Sequence, residues 1–208
     1  MNLLKRVPII AWIGIATVVL IVVGVVFFTK NAITPPSETT AAKVQKEVPG
    51  TKEYPIVGRD HVPEGTTVAT YNSNPPSSGP HWFTSNPKWP APAPSGIYDH
   101  ALFDEQLVHN LEHGYVWVSY NPKLVGSDLS QASSEAGLNA SGKEVVNSLK
   151  DIVNKDKWKV VLEPRDKDDS MIALAAWGRV LKLDSPDYNK IKDFIKTYRD
   201  TGPETTQM

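Results

Sequence analysis

The longest apolar run lies at the start of the chain. No charged residue occurs from Val7 to Thr29, and PIIAWIGIATVVLIVVGVVFF, residues 8–28, supplies the roughly 20 apolar residues that a helix needs to cross about 30 Å of hydrocarbon. A cleaved signal peptide has a shorter apolar region, about 7–15 residues, and a small-residue cleavage site that is not evident here. Residues 1–30 therefore read as an N-terminal membrane anchor. Lys5 and Arg6 precede the span and outweigh Lys30 after it, which predicts a cytoplasmic N-terminus and an exported remainder. Residues 31–50, NAITPPSETTAAKVQKEVPG, have almost no large apolar side chain and read as a flexible linker.

The pattern changes in the second half. YVWVSY (115–120), WKVVLEP (158–164) and SMIALAAW (170–177) are rich in β-branched and aromatic residues and bounded by Gly, Pro, Asn and Asp, which predicts strands. The last is apolar on both faces and is expected to be central. Between the first two, SGKEVVNSLKDIVNKD places Val145, Leu149, Ile152 and Val153 on one helical stripe, with Ser141 and Glu144 spaced as a capping box. A second helix is predicted from Pro186 to about Thr201, capped by Asp184 or Ser185, with Ile191, Phe194, Ile195 and Tyr198 inward and Gly202-Pro203 as its stop. The order strand, helix, strand, strand, helix predicts an α+β domain over residues 51–208: a small, mostly antiparallel sheet with two helices on one face. Residues 51–100 hold most of the prolines and are expected to form a long ordered loop with one short strand at TTVATY (66–71). The aromatics in it, including Trp82 and Trp89, argue against a solvated tail.

Charge and composition remove several functions. Setting Lys5, Arg6 and Lys30 aside leaves 19 basic residues against 23 acidic ones, a net charge of -4 for the exported part. No basic field attracts nucleic acid. With no cysteine, disulfides, thiolate chemistry and an N-terminal lipid on cysteine are excluded, and any metal must be held by nitrogen, oxygen or methionine sulfur.

The stretch LFDEQLVHNLEHG (102–114) then stands out. As a helix it puts Phe103, Leu107, Val108 and Leu111 on one face and Asp104, Glu105, His109, Glu112 and His113 on the other, with Gly114 as its end. Two imidazoles four residues apart on one face begin a zinc or copper site. His81, behind the stiff PPSSGP segment, and His61 are the candidate further ligands, and Glu112 is a candidate hydrogen-bond acceptor behind a ligand imidazole. The five residues H-x-x-E-H also match a metallopeptidase signature, but the strand that follows at once leaves no room for the longer helix that such a mechanism uses. A metal-dependent hydrolase is therefore the weakest of three readings. The second is a non-catalytic envelope module that binds a protein or wall polymer through Trp82 and Trp89, because Trp117, Trp158 and Trp177 are expected to be core residues of strands.

Taken together, YNSNPPSSGPHW, LVHNLEHGYVWVSY, IALAAWGR and FIKTYRDTGPE resemble the bacterial domain-of-unknown-function family 3105, over about residues 54–205. The resemblance implies a single exported domain behind a membrane anchor. It puts His61, His81, His109, Glu112, His113 and Arg179 at motif positions, leaves out His100, and has threonine where this chain has Ser77. It implies no activity.

Overall fold

The computed structural model describes residues 47–126 and 137–204. The expected span at residues 8–28 and most of the linker lie outside the described residues; within them, no helix is long and apolar enough to cross a membrane. The chain order is β1 (Lys52–Glu53), β2 (His61–Val62), β3 (His81–Trp82), β4 (Gly96–Ile97), α1 (Asp104–Glu112), β5 (Val116–Tyr120), α2 (Ala140–Lys155), β6 (Val160–Pro164), β7 (Ile172–Ala176), β8 (Arg179–Leu183) and α3 (Tyr188–Tyr198). Six strands make one sheet in the order β1-β8-β7-β5-β6-β4, and β2 and β3 pair separately.

The fold is α+β, and the sheet is mixed. β5 pairs antiparallel with β7 and parallel with β6, and β4 adds a second parallel pairing at the edge. The parallel step follows from α2, whose 16 residues carry the chain back so that β6 starts at the same end as β5. β7, as expected, is internal; it turns through Trp177-Gly178 into β8, a strand that the hydropathy pattern does not announce. Gly178 makes that turn at φ +70°.

Period-two alternation divides the sheet into two cores. Val116, Val118, Tyr120, Leu162, Ile172 and Leu174 face the apolar stripes of α2 and α3. Trp117, Val161, Ala175, Val180 and Trp177 face the other way, against Leu107, Val108 and Leu111 of α1. The two predicted helices do share a face, but the sheet is covered on both sides, because α1 and the proline-rich loop close the second.

Other expectations need correction. Asn139, not Ser141, caps α2, its side chain accepting from the Gly142 amide at 2.9 Å, and Asp187 rather than Asp184 or Ser185 caps α3. TTVATY forms no strand; the Val68 amide is instead bound by the Glu105 carboxylate at 2.7 Å. Trp158 is 48% exposed because β6 begins two residues after it.

Candidate metal centre

Three segments converge on the second face. β2 and β3 run parallel in the register His61↔His81, so the two imidazoles stand side by side, and the His81 amide donates to the Asp60 carbonyl at 3.0 Å. α1 packs on β3 and presents His109 and Glu112 to them. The helix closes at Gly114, whose φ of +78° and close approach to Asp200, where an added Cβ would meet backbone at 2.8 Å, leave room for glycine alone. The C-terminal segment docks there, the amides of Asp200 and Glu204 donating to the carbonyls of Gly114 and Glu112.

His61, His81, His109 and Glu112 offer ligand atoms that all lie within 4.8 Å of one another, so the group could hold a metal ion. Donors about 2.1 Å from a tetrahedral ion stand about 3.4 Å apart, so small side-chain shifts would bring these four to bonding distance. His113 lies behind them, its Nε2 2.9 Å from Nε2 of His109. His81, His109 and Glu112 are buried, whereas His61 is about half-exposed and forms the solvent side. Phe83, exposed, stacks on the His61 ring at 5.1 Å. His100 is apart from the group, exposed and bound to Asp99, and Arg179 pairs with Glu53.

The hydrogen bonds determine how the rings present themselves. Nδ1 of His81 faces the Gly79 carbonyl at 2.8 Å, and Nδ1 of His109 faces the Trp82 carbonyl. A carbonyl only accepts, so both rings donate from Nδ1 and, when neutral, turn a bare Nε2 lone pair inward. For His81 that lone pair meets another acceptor, Oε2 of Glu112, at 3.0 Å. For His109 it meets His113, which can donate from Nε2 only by leaving its Nδ1 bare. That Nδ1 is buried with no hydrogen-bond partner and is 3.7 Å from a Glu204 carboxylate oxygen. Acceptors thus outnumber donors throughout the cluster. Among the described residues, the one guanidinium that reaches it, Arg59, bonds Glu112 at 2.6 Å and Glu204 at 2.8 Å on the outer side. A cation among the Nε2 atoms and Oε2 would satisfy the set.

Burial keeps lone pairs on two of these rings, His109 and His113. Burial pushes the His109 pKa down to about 4, with His81, His113 and His61 adding to it and the Trp82 carbonyl opposing. Burial likewise lowers His113 against the pull of Glu204 and Glu112. For Glu112 burial acts upward but is outweighed by Arg59 and, when its ring carries a second proton, by His81, which together hold the carboxyl below its usual range. Between pH 4 and 6.5 the unfolded chain therefore protonates His109 while the folded one does not, so folding stability of the metal-free protein rises with pH across this window. A loss of about 3 kcal/mol is expected between pH 6.5 and pH 4 from this group, measurable by urea unfolding at both values and reduced in His109→Gln. A carboxylate held low is a weak base, and α1 ends at Glu112, so the geometry gives little to a peptidase reading.

A family model described as "Protein of unknown function (DUF3105)" matches residues 61–138 and 138–208. The chain belongs to that family. No curated protein and no solved structure matches the chain. The family model spans every member of the histidine group, from His61 onward.

Three features of the site were not foreseen. Arg59 and Glu204 frame it: Arg59 lies two residues before His61, and Glu204 ends the stretch FIKTYRDTGPE. Glu163 is fully buried, accepting from Leu102 N–H at 2.6 Å and Trp117 Nε1–H at 3.1 Å. Of the aromatic surface candidates, Trp82 is buried, its indole donating to the Thr66 carbonyl, and Trp89 is half-buried. Together they make no flat platform for a polymer.

Proposed function

We propose that this domain binds a single transition-metal ion through His61, His81, His109 and Glu112, and that it does so outside the cytoplasm, tethered by a span at residues 8–28. The observation that carries the metal reading is the pair of buried imidazoles, His81 and His109, each fixed through Nδ1 to a backbone carbonyl with Nε2 turned toward the same group. This is how a protein sets the tautomer and direction of a metal-binding histidine. Three nitrogens and one oxygen suit zinc or copper(II). Met171 packs in the helix-side core, so among the described residues no thioether favours copper(I). Glu112 acts here as a ligand or as the acceptor that holds a ligand in place; His113 supports His109.

Calorimetric titration of the metal-free full chain with zinc and with copper(II), beside Glu112→Gln, tests the reading. The variant keeps an oxygen but loses the charge, and a fall in affinity of at least about 10–100-fold is expected. Equal affinity for both proteins would remove Glu112 from the site. For topology, a reporter enzyme active only after export, fused after Met208, is expected to be active; activity of a cytoplasm-only reporter there would reverse the orientation.

A further inference from the structure

A second site lies on the far side of Trp82. A cavity of about 190 Å³ opens between the loop and the start of α1, lined by Trp82, Trp89, Phe103, Thr67, Glu64 and Glu105. Its three rings stand at steep angles, Phe103 at 43° to Trp82 with centroids 4.7 Å apart and at 80° to Trp89 at 5.2 Å. Two carboxylates complete it. Glu105 is only 7% exposed, and one of its oxygens accepts from the Val68 amide, while the other has no hydrogen bond among the described residues. Glu64 accepts from Thr84 and Asn86 at the rim.

From this lining we infer that the cavity binds a small organic cation, of the alkylammonium or trimethylammonium class. Aromatic faces and carboxylates both attract positive charge, and several ring faces around one small space are the recurring means of holding a quaternary ammonium group. A sugar fits less well. Its hydroxyls need donors as well as acceptors, and with the Trp82 indole N–H spent on Thr66, the Thr67 hydroxyl and the Trp89 indole N–H are the side-chain donors set against two carboxylates. The volume is below that of pockets for drug-sized ligands, about 300–1,000 Å³, and suits a head group. Lys88 opposes the charge; its ammonium lies 5.1 Å from the Trp89 ring centroid but does not line the cavity. The inference does not rest on the metal reading, since no ligand candidate of the histidine group lines this space.

The test is a titration of the full chain in a nonionic detergent with choline chloride and, separately, with 3,3-dimethylbutan-1-ol, its uncharged isostere. Indole N–H resonances of Trp82 and Trp89 report occupancy. Choline is expected to bind saturably, at least about tenfold more tightly than the alcohol. Glu64→Gln and Trp89→Leu should each weaken it, and Lys88→Met should strengthen it, with an unchanged thermal unfolding midpoint as the sign of an intact fold. Equal binding of the two compounds, or no saturable shift with choline, would overturn the inference.

Discussion

His81→Ala is expected to abolish stoichiometric metal binding. His81 is fully buried in the centre of the group, 3.0 Å from Glu112 and with its ring centroid 5.0 Å from those of both His61 and His109. Its removal takes one ligand away and leaves the Glu112 carboxylate without its inner partner. Metal content below about a tenth of an equivalent is expected, against affinity losses on the order of 10–100-fold for residues that only orient a ligand. Because a buried change can disturb folding, His61→Ala is the companion variant: His61 is about half-exposed on the two-residue strand β2, so its loss should weaken binding while leaving thermal stability of the metal-free protein nearly unchanged. Full metal content in both variants would contradict the assignment.

Arg165→Met is expected to destabilise the domain by about 3–5 kcal/mol. Arg165 is 4% exposed at the end of β6 and holds three segments at once. Its guanidinium makes two bonds to Asp104 at the start of α1, at 3.0 and 2.9 Å, one to Asn74 in the proline-rich loop at 2.6 Å, and a short one to Asp168. Asp168 is fully buried and bonded by Ser119; burial already pushes its carboxyl upward, against Arg165 and Ser119. Methionine would keep the volume beside Trp117 but strand that carboxylate. The cost should therefore shrink in the double variant Arg165→Met/Asp168→Asn, where the fully buried carboxylate is gone and Asp104, partly exposed, is the acid left without Arg165. Denaturant unfolding of the metal-free proteins checks both, and a single-variant cost under about 1 kcal/mol would show that the network carries little.

How much of this could be read in the sequence depends on how local each cause is. The stripes of α2 and α3 and the runs of β5, β6 and β7 repeat at the helix or strand period, and their positions follow from that pattern. β8 escaped because RVLKL has only five residues, two of them charged and half-exposed, directly after a tight turn. β1 to β4 are two residues long and have no period at all. The parallel pairing of β5 with β6 could have been suspected from the intervening helix, yet strand order along the chain alone favours neighbours joined antiparallel.

The site was legible as residue types and hidden as geometry. Spacing predicts that His109 and Glu112 share a helical face, and so they do. Spacing gives no sign that Glu105, His109, Asn110 and Glu112 are all buried. Their cover comes from the loop, where Trp82 and Ala93 supply backbone partners for His109 and Asn110. Partners 17 and 27 residues away leave no periodic trace. Glu163 is buried as well, its place in the alternation of β6 turning it toward Trp117. His61 and His81 emerged as loop candidates from rigid flanking residues, but nothing in their spacing announces the parallel register that aligns them.

The central claim is that the buried imidazoles and Glu112 hold a metal ion. The most direct measurement is elemental analysis by mass spectrometry of the full chain, purified without a histidine tag and without added metal, then repeated after dialysis against zinc or copper(II) and removal of the excess. One equivalent per chain is expected in one of these preparations, falling below about a tenth in His81→Ala. Less than about a tenth of an equivalent of any transition metal in the wild-type protein, before and after loading, would contradict the account.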